Sequence, residues 1–186
     1  MEQKPSFVMP TVIQSTIVGV ALSIISTIFV YLSISGEPNG SFFQPISFLQ
    51  AGICLLGAIA GVMSVKAYVK TGVNDLQLGQ GALIGLFAGV VSAAVMTLIG
   101  VIWNFVVDPA LMDNMADYMI TNMEMAFANS GMGTEQIDQI LGEMEKGFQE
   151  QKTFVGILKG FGFSVLGLGI INVISGLITA KVVSKD

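Results

Sequence analysis

Hydrophobic positions in this chain do not alternate with polar ones. They run together in four long blocks, at 11–34, 45–68, 79–107 and 153–180. A helix needs about 20 consecutive apolar residues to cross the hydrocarbon of a bilayer, and each block is long enough. A helix that is apolar all round has no face for water, which points to lipid on its outside. Two of the gaps between blocks are short and rich in turn formers or polar residues, "SGEPNGS" at 35–41 and "VKTGVNDLQL" at 69–78. The first block exceeds the roughly 7–15 residues of a signal-peptide core. It is read as a retained span although "SIS" at 33–35 resembles a cleavage site.

The third gap, 108–151, has a different pattern. At about 100° per residue, Met112, Met115, Met119 and Met123 share one helical face with Ala116 and Ala126, while Asp113, Asp117 and Glu124 cluster elsewhere. "NSGMG" (129–133) interrupts this helix. A second stripe follows, Ile137, Ile140, Met144 and Phe148, with Asp138, Glu143, Glu145 and Glu150 off it. Two amphipathic helices with facing stripes predict an antiparallel hairpin. Asp108 reads as an N-cap with Pro109 in the first turn, and Thr134 as the cap of the second helix. With no breaker after Phe148, the second helix is expected to run straight into the fourth block.

The fold expected is therefore all-α: a polytopic membrane protein with four transmembrane helices and an extracytoplasmic amphipathic hairpin between the third and fourth. Residues 1–186 form a single membrane domain. Composition agrees, with 53% hydrophobic and 11% charged residues, where soluble domains carry about a quarter charged. Lysine placement orients it. Lys4, Lys66, Lys70, Lys181 and Lys185 fall at one end of a four-span arrangement, with Glu37, Lys146 and Lys152 at the other; because long loops cross largely regardless of charge, this puts both termini in the cytoplasm and 108–151 outside.

Helices in lipid associate through close packing at small residues. Gly81, Gly85, Gly89, Ala93 and Thr97 recur at every fourth position of the third block, as do Ser15, Gly19, Ser23 and Thr27 in the first. Gly57 and Gly61 in the second block, and Gly156, Gly160, Ser164, Gly176 and Ala180 in the fourth, offer matching surfaces. Intramolecular bundle packing accounts for these rows more simply than a dimer face or a ligand groove.

Candidate chemistry is sparse. No Asp, Glu, Arg or His lies deep in a block, so a proton-coupled pump lacks its titratable group. Asn104, Asn172 and Ser175 are the polar intramembrane candidates, with interhelical hydrogen bonding the plainer role for Asn172. Met112-x-x-Met115 and Met123-x-Met125 could offer thioethers to Cu(I), but methionine is also an adaptable packing residue. No His or Cys reinforces a site, so neither a metal nor a cofactor is expected. The single Cys54 makes no disulfide within the chain, and a net charge of −5 without a basic run argues against nucleic acid. No base–nucleophile constellation is present, so an enzyme is not expected.

The order of elements is itself distinctive: "GVNDLQLGQG" (72–81) entering a glycine-rich span, "WNFVVDP" (103–109) leaving it, then "GMGTEQIDQILGEMEK" (131–146), a last span and a lysine tail. This resembles a family of small bacterial four-span inner-membrane proteins known as a domain of unknown function, most strongly over 70–185. The resemblance implies topology and a bacterial inner-membrane location, and no site residues. The leading functional expectation is a non-enzymatic accessory or scaffold subunit. Its partner would be another membrane protein or a second copy, besides the bilayer. Met112, Met115, Met119, Met123, Ile137, Ile140, Met144 and Phe148 would form the contact surface. The alternative is a small carrier or lipid-binding protein using the glycine row with Asn104 and Asn172.

Overall fold

A computed structural model of the chain describes residues 5–43, 45–73 and 76–184. Lys4 and Lys185, which enter the orientation argument, lie outside these, as does the side chain of Gln50. The elements are α1 (Val8–Ile34), α2 (Pro45–Val69), α3 (Leu78–Ile102), a π-helical turn (Trp103–Val107), α4 (Leu111–Asn129), α5 (Thr134–Gln151) and α6 (Phe154–Val183). There is no strand among the described residues. Four segments are long and apolar enough to cross a membrane: Val8–Ile34, Ala51–Val69, Leu78–Val107 and Phe154–Val183.

The chain divides into two compact units. One comprises Met1–Ile24, Ala51–Ile99 and Phe161–Asp186, and the other Ile25–Gln50 and Gly100–Gly160.

The first unit is a bundle of α1, α2, α3 and α6 segments in which small residues make the closest helix contacts and many large apolar ones face outward. Gly81, Ile84, Gly85, Ala88, Gly89, Ser92 and Ala93 are the buried residues of α3, while Leu83, Leu86, Ile170, Ile174 and Ile178 are exposed. Close contact at small residues with large apolar side chains exposed suits a lipid surround. Backbones approach so closely that a methyl at Gly85 would overlap the Asn172 carbonyl, and one at Gly89 would come within 2.7 Å of Gly169 Cα. Gly19 of α1 meets Val95 and Ser92 of α3, and Gly57 of α2 meets Leu168 of α6.

The fourth-span row differs from the sequence expectation. Gly160 faces open space, and a side chain at Gly156 would strike the Glu150 carbonyl in the preceding turn. The face of α6 packed in the bundle is Leu168, Gly169, Asn172, Ser175, Gly176, Thr179 and Ala180. Spacing alone could not select it, because glycines are spread over both faces of α6.

Buried polar groups in this unit have partners, as their low-dielectric setting requires. The Asn172 amide donates to Leu168 O (2.8 Å) and its Oδ1 accepts from the Gly61 N–H (2.6 Å). Ser92 donates to Ser15 O (3.2 Å), and the Ser15 and Ser64 hydroxyls lie 3.4 Å apart. One end is closed by Val65, Tyr68, Val73, Leu76, Ile84 and Ala180, with Phe7 against them. The Tyr68 hydroxyl donates to Pro5 O at 3.1 Å.

Candidate functional site

The second unit holds the polar insertion. At the end of α3 the backbone widens into a π turn, closed by the Asp108 N–H donating to Trp103 O at 2.8 Å. Turns of this kind are rare and occur mainly as local bulges, often at functional sites. Asp108 does not cap α4. That helix begins at Leu111, preceded by Ala110, and the Asp108 carboxylate instead accepts from the Tyr31 hydroxyl at 2.5 Å. The Trp103 indole N–H donates in turn to the Tyr31 oxygen at 3.3 Å. A long-range partner has taken the side chain that local sequence assigned to capping.

α4 and α5 pack against each other. The turn between them uses Gly131 with φ +79°, the left-handed conformation that glycine adopts without strain, and Met132 N–H donates to Phe127 O at 3.2 Å. Thr134 provides no cap bond; Gly133 occupies the cap position. Nor does α5 continue into α6. It ends at Gln151, and Thr153 starts the last helix, its hydroxyl accepting from the Gly156 N–H at 3.0 Å. The sequence signal for this break was a threonine three residues before a glycine, which the long apolar run obscured.

Three tethers hold the α4–α5 pair within its unit. Tyr31 binds Asp108 at the entry to α4. Lys152, just after α5, pairs with Asp113 in the first turn of α4. Asn122, fully buried, has an Oδ1 that accepts from the Asn39 and Gly40 N–H groups (both 3.0 Å) and an Nδ2 that donates to Ser41 O (2.9 Å). Gly40 sits at φ +69°, and a side chain there would crowd Asn129 and Met125. Asn122 flanks the methionine stripe, and its role was not legible because its partners lie some eighty positions away.

Of the eight residues expected to form a partner surface, Ile137 is buried at 6% exposure. Met112, Met115, Met119, Met123, Ile140, Met144 and Phe148 are each partly covered. The carboxylates Asp113, Asp117, Glu124, Glu135, Asp138, Glu143, Glu145 and Glu150 are all exposed. Gly81, Gly85, Gly89, Ala93, Asn172 and Ser175 are all buried in the first unit, and Asn104 belongs to the second.

Asn104, in the π turn, lines a cavity of about 250 Å³ with Ser26, Thr27, Val30, Gly100, Trp103, Leu111, Met112, Met115 and Gln151. Among the described residues, no cluster of His, Cys, Asp or Glu could hold a metal ion.

Four apolar helices of membrane-crossing length, a bundle packed through small residues and a polar insertion define a multi-pass helical membrane protein. The chain belongs to the family described as "Protein of unknown function (DUF4199)", whose model matches residues 14–185. No curated protein and no solved structure matches the chain.

Proposed function

We propose that the chain is a non-enzymatic accessory subunit of the bacterial cytoplasmic membrane. Its termini lie inside, and its α4–α5 hairpin stands on the extracytoplasmic side as a docking element for another membrane protein. The observation that carries this reading is the triple tethering of the hairpin. A mere connector between two spans does not need two helices held at Tyr31–Asp108, Asp113–Lys152 and Asn122. The orientation rests on Lys66, Lys70 and Lys181 at the cytoplasmic helix ends.

Covering of the methionine and isoleucine stripes by the chain itself shifts the first contact to the carboxylate faces. Eight acidic residues against Lys146 leave the hairpin, residues 111–151, with a charge of −7 (8 acidic minus 1 basic). Two such surfaces repel, so the partner is a different protein with a basic extracytoplasmic patch.

Native mass spectrometry of the gently solubilised protein from its own membrane is the test. A second polypeptide at fixed stoichiometry, released by the combined Glu135→Lys, Asp138→Lys, Glu143→Lys and Glu145→Lys substitutions and by raised salt, supports the reading. A monomer or homodimer without another chain sinks it. Replacing Met115 and Met119 by Asp is expected to lower the melting temperature as well, since these side chains already pack within the chain.

A further inference from the structure

The cavity beside the π turn differs from the rest of the interior in how its polar groups are used. Among the described residues, every fully buried polar side chain, such as Ser15, Ser92, Asn122 or Asn172, has a hydrogen-bond partner. Ser26, Thr27, Asn104 and Gln151 converge on the cavity, and among the described residues their side chains make no hydrogen bond to protein. Ser26, Thr27 and Asn104 are half-buried and Gln151 is exposed, so their hydroxyl and amide groups are free to bond whatever enters the space between them.

The lining also dictates what that occupant is. No charged side chain faces the cavity. The neighbours of Met112 and Gln151 in sequence, Asp113 and Lys152, neutralise each other. A phosphate or carboxylate would therefore find no counter-ion. Aliphatic and thioether walls alternate with hydroxyls and amides, which suits an amphiphile. The volume is slightly below the roughly 300–1,000 Å³ of a pocket for a drug-sized molecule, so it accepts a head group and not a whole lipid. The walls come from the last part of the span ending at Ile34, the end of the span closing at Val107, and the hairpin base. A lipid head can enter there while its tails stay in hydrocarbon.

We infer that this cavity binds the head of an uncharged lipid bearing hydroxyl or carbonyl groups, with Asn104, Thr27, Ser26 and Gln151 as its hydrogen-bond partners. Gly100 keeps the space open: a side chain there would meet nothing within 4 Å.

Trp103 is the only tryptophan and lines the cavity, so its fluorescence reports occupancy. The full chain is reconstituted in phosphatidylcholine nanodiscs and titrated with dioleoylglycerol. The expected result is a saturable shift in Trp103 emission. It should weaken about tenfold in Asn104→Leu and in the nearly isosteric Thr27→Val, the scale of one lost buried hydrogen bond. Gly100→Leu projects a side chain from a position whose Cβ meets nothing within 4 Å, and should abolish saturation while keeping the wild-type melting temperature. Dioleoylphosphatidic acid, with the same tails and a charged head, should give no saturable signal. A response linear in lipid content, or one unchanged in Gly100→Leu and Asn104→Leu, overturns the inference, because it would report bulk bilayer properties. Equal response to phosphatidic acid overturns the uncharged head, and equal response to free glycerol overturns the lipid.

Discussion

The glycine row of α3 in the first unit and three helical glycines of the second meet opposite surroundings. In the first, Gly81, Gly85 and Gly89 of α3 lie against the backbone of α6 with no room for a methyl group. In the second, Gly100, Gly142 and Gly147 have nothing within 4 Å of where a side chain would begin. The described buried polar side chains of the first unit are satisfied within it. The second retains a cavity and leaves amide and hydroxyl groups facing it. Within lipid, stability comes from close packing, and recognition needs space and unused hydrogen bonds. The two requirements are met by different parts of one chain.

The contrast is most severely tested at Gly85. Gly85→Val should force α3 away from Asn172. Overpacking costs about 1–3 kcal/mol, and with backbone on both sides the loss should reach the top of that range, read as a melting-temperature drop in detergent. A wild-type melting temperature would show that the close approach is not needed for stability.

Asn122→Ala comes next. It strips three hydrogen bonds from the 39–41 loop, an expected loss of about 1–3 kcal/mol. Hydrogen exchange at the Asn39 and Gly40 amides should accelerate while the Gly61 amide stays protected. Acceleration at both would mean that the two units open together.

Asp113→Asn removes the pairing with Lys152. Because Asp113 is 54% exposed, the expected change is only about 0–1 kcal/mol, and it should shrink in high salt. Last, Gly147→Ala should stabilise α5 by about 0.5–1 kcal/mol, since helix propensity improves and no neighbour is displaced. A loss there would mean that the α5 surface is covered in the membrane.

The expected blocks predict the spans to within a few residues, because a run of apolar side chains has no stable place but hydrocarbon. The glycine row of α3 was readable for a related reason: recurrence at every fourth residue puts small side chains along one helix face. Gly156 and Gly160 show the limit of that argument. They belong to the same kind of row, yet neither packs into the bundle.

Helix boundaries in the polar insertion were less legible. Asp108 has an N-cap's identity and position, and only the arrival of the Tyr31 hydroxyl from α1 redirects it. Thr153 lies in a run that reads as continuous helix, and only its bond to the Gly156 N–H marks the break. Asn122 and the cavity were invisible, since a single sequence carries no sign of which distant groups will meet.

What the sequence determined by itself is thus everything governed by local chemistry and solvent preference: all-helical structure, four spans, a polar pair of helices and the small-residue face of α3. Tertiary structure alone decided which polar groups are satisfied, where the methionine stripe is covered and where empty space remains. Those outcomes depend on contacts between residues far apart in the chain, and hydrophobicity and helical periodicity hold no information about them.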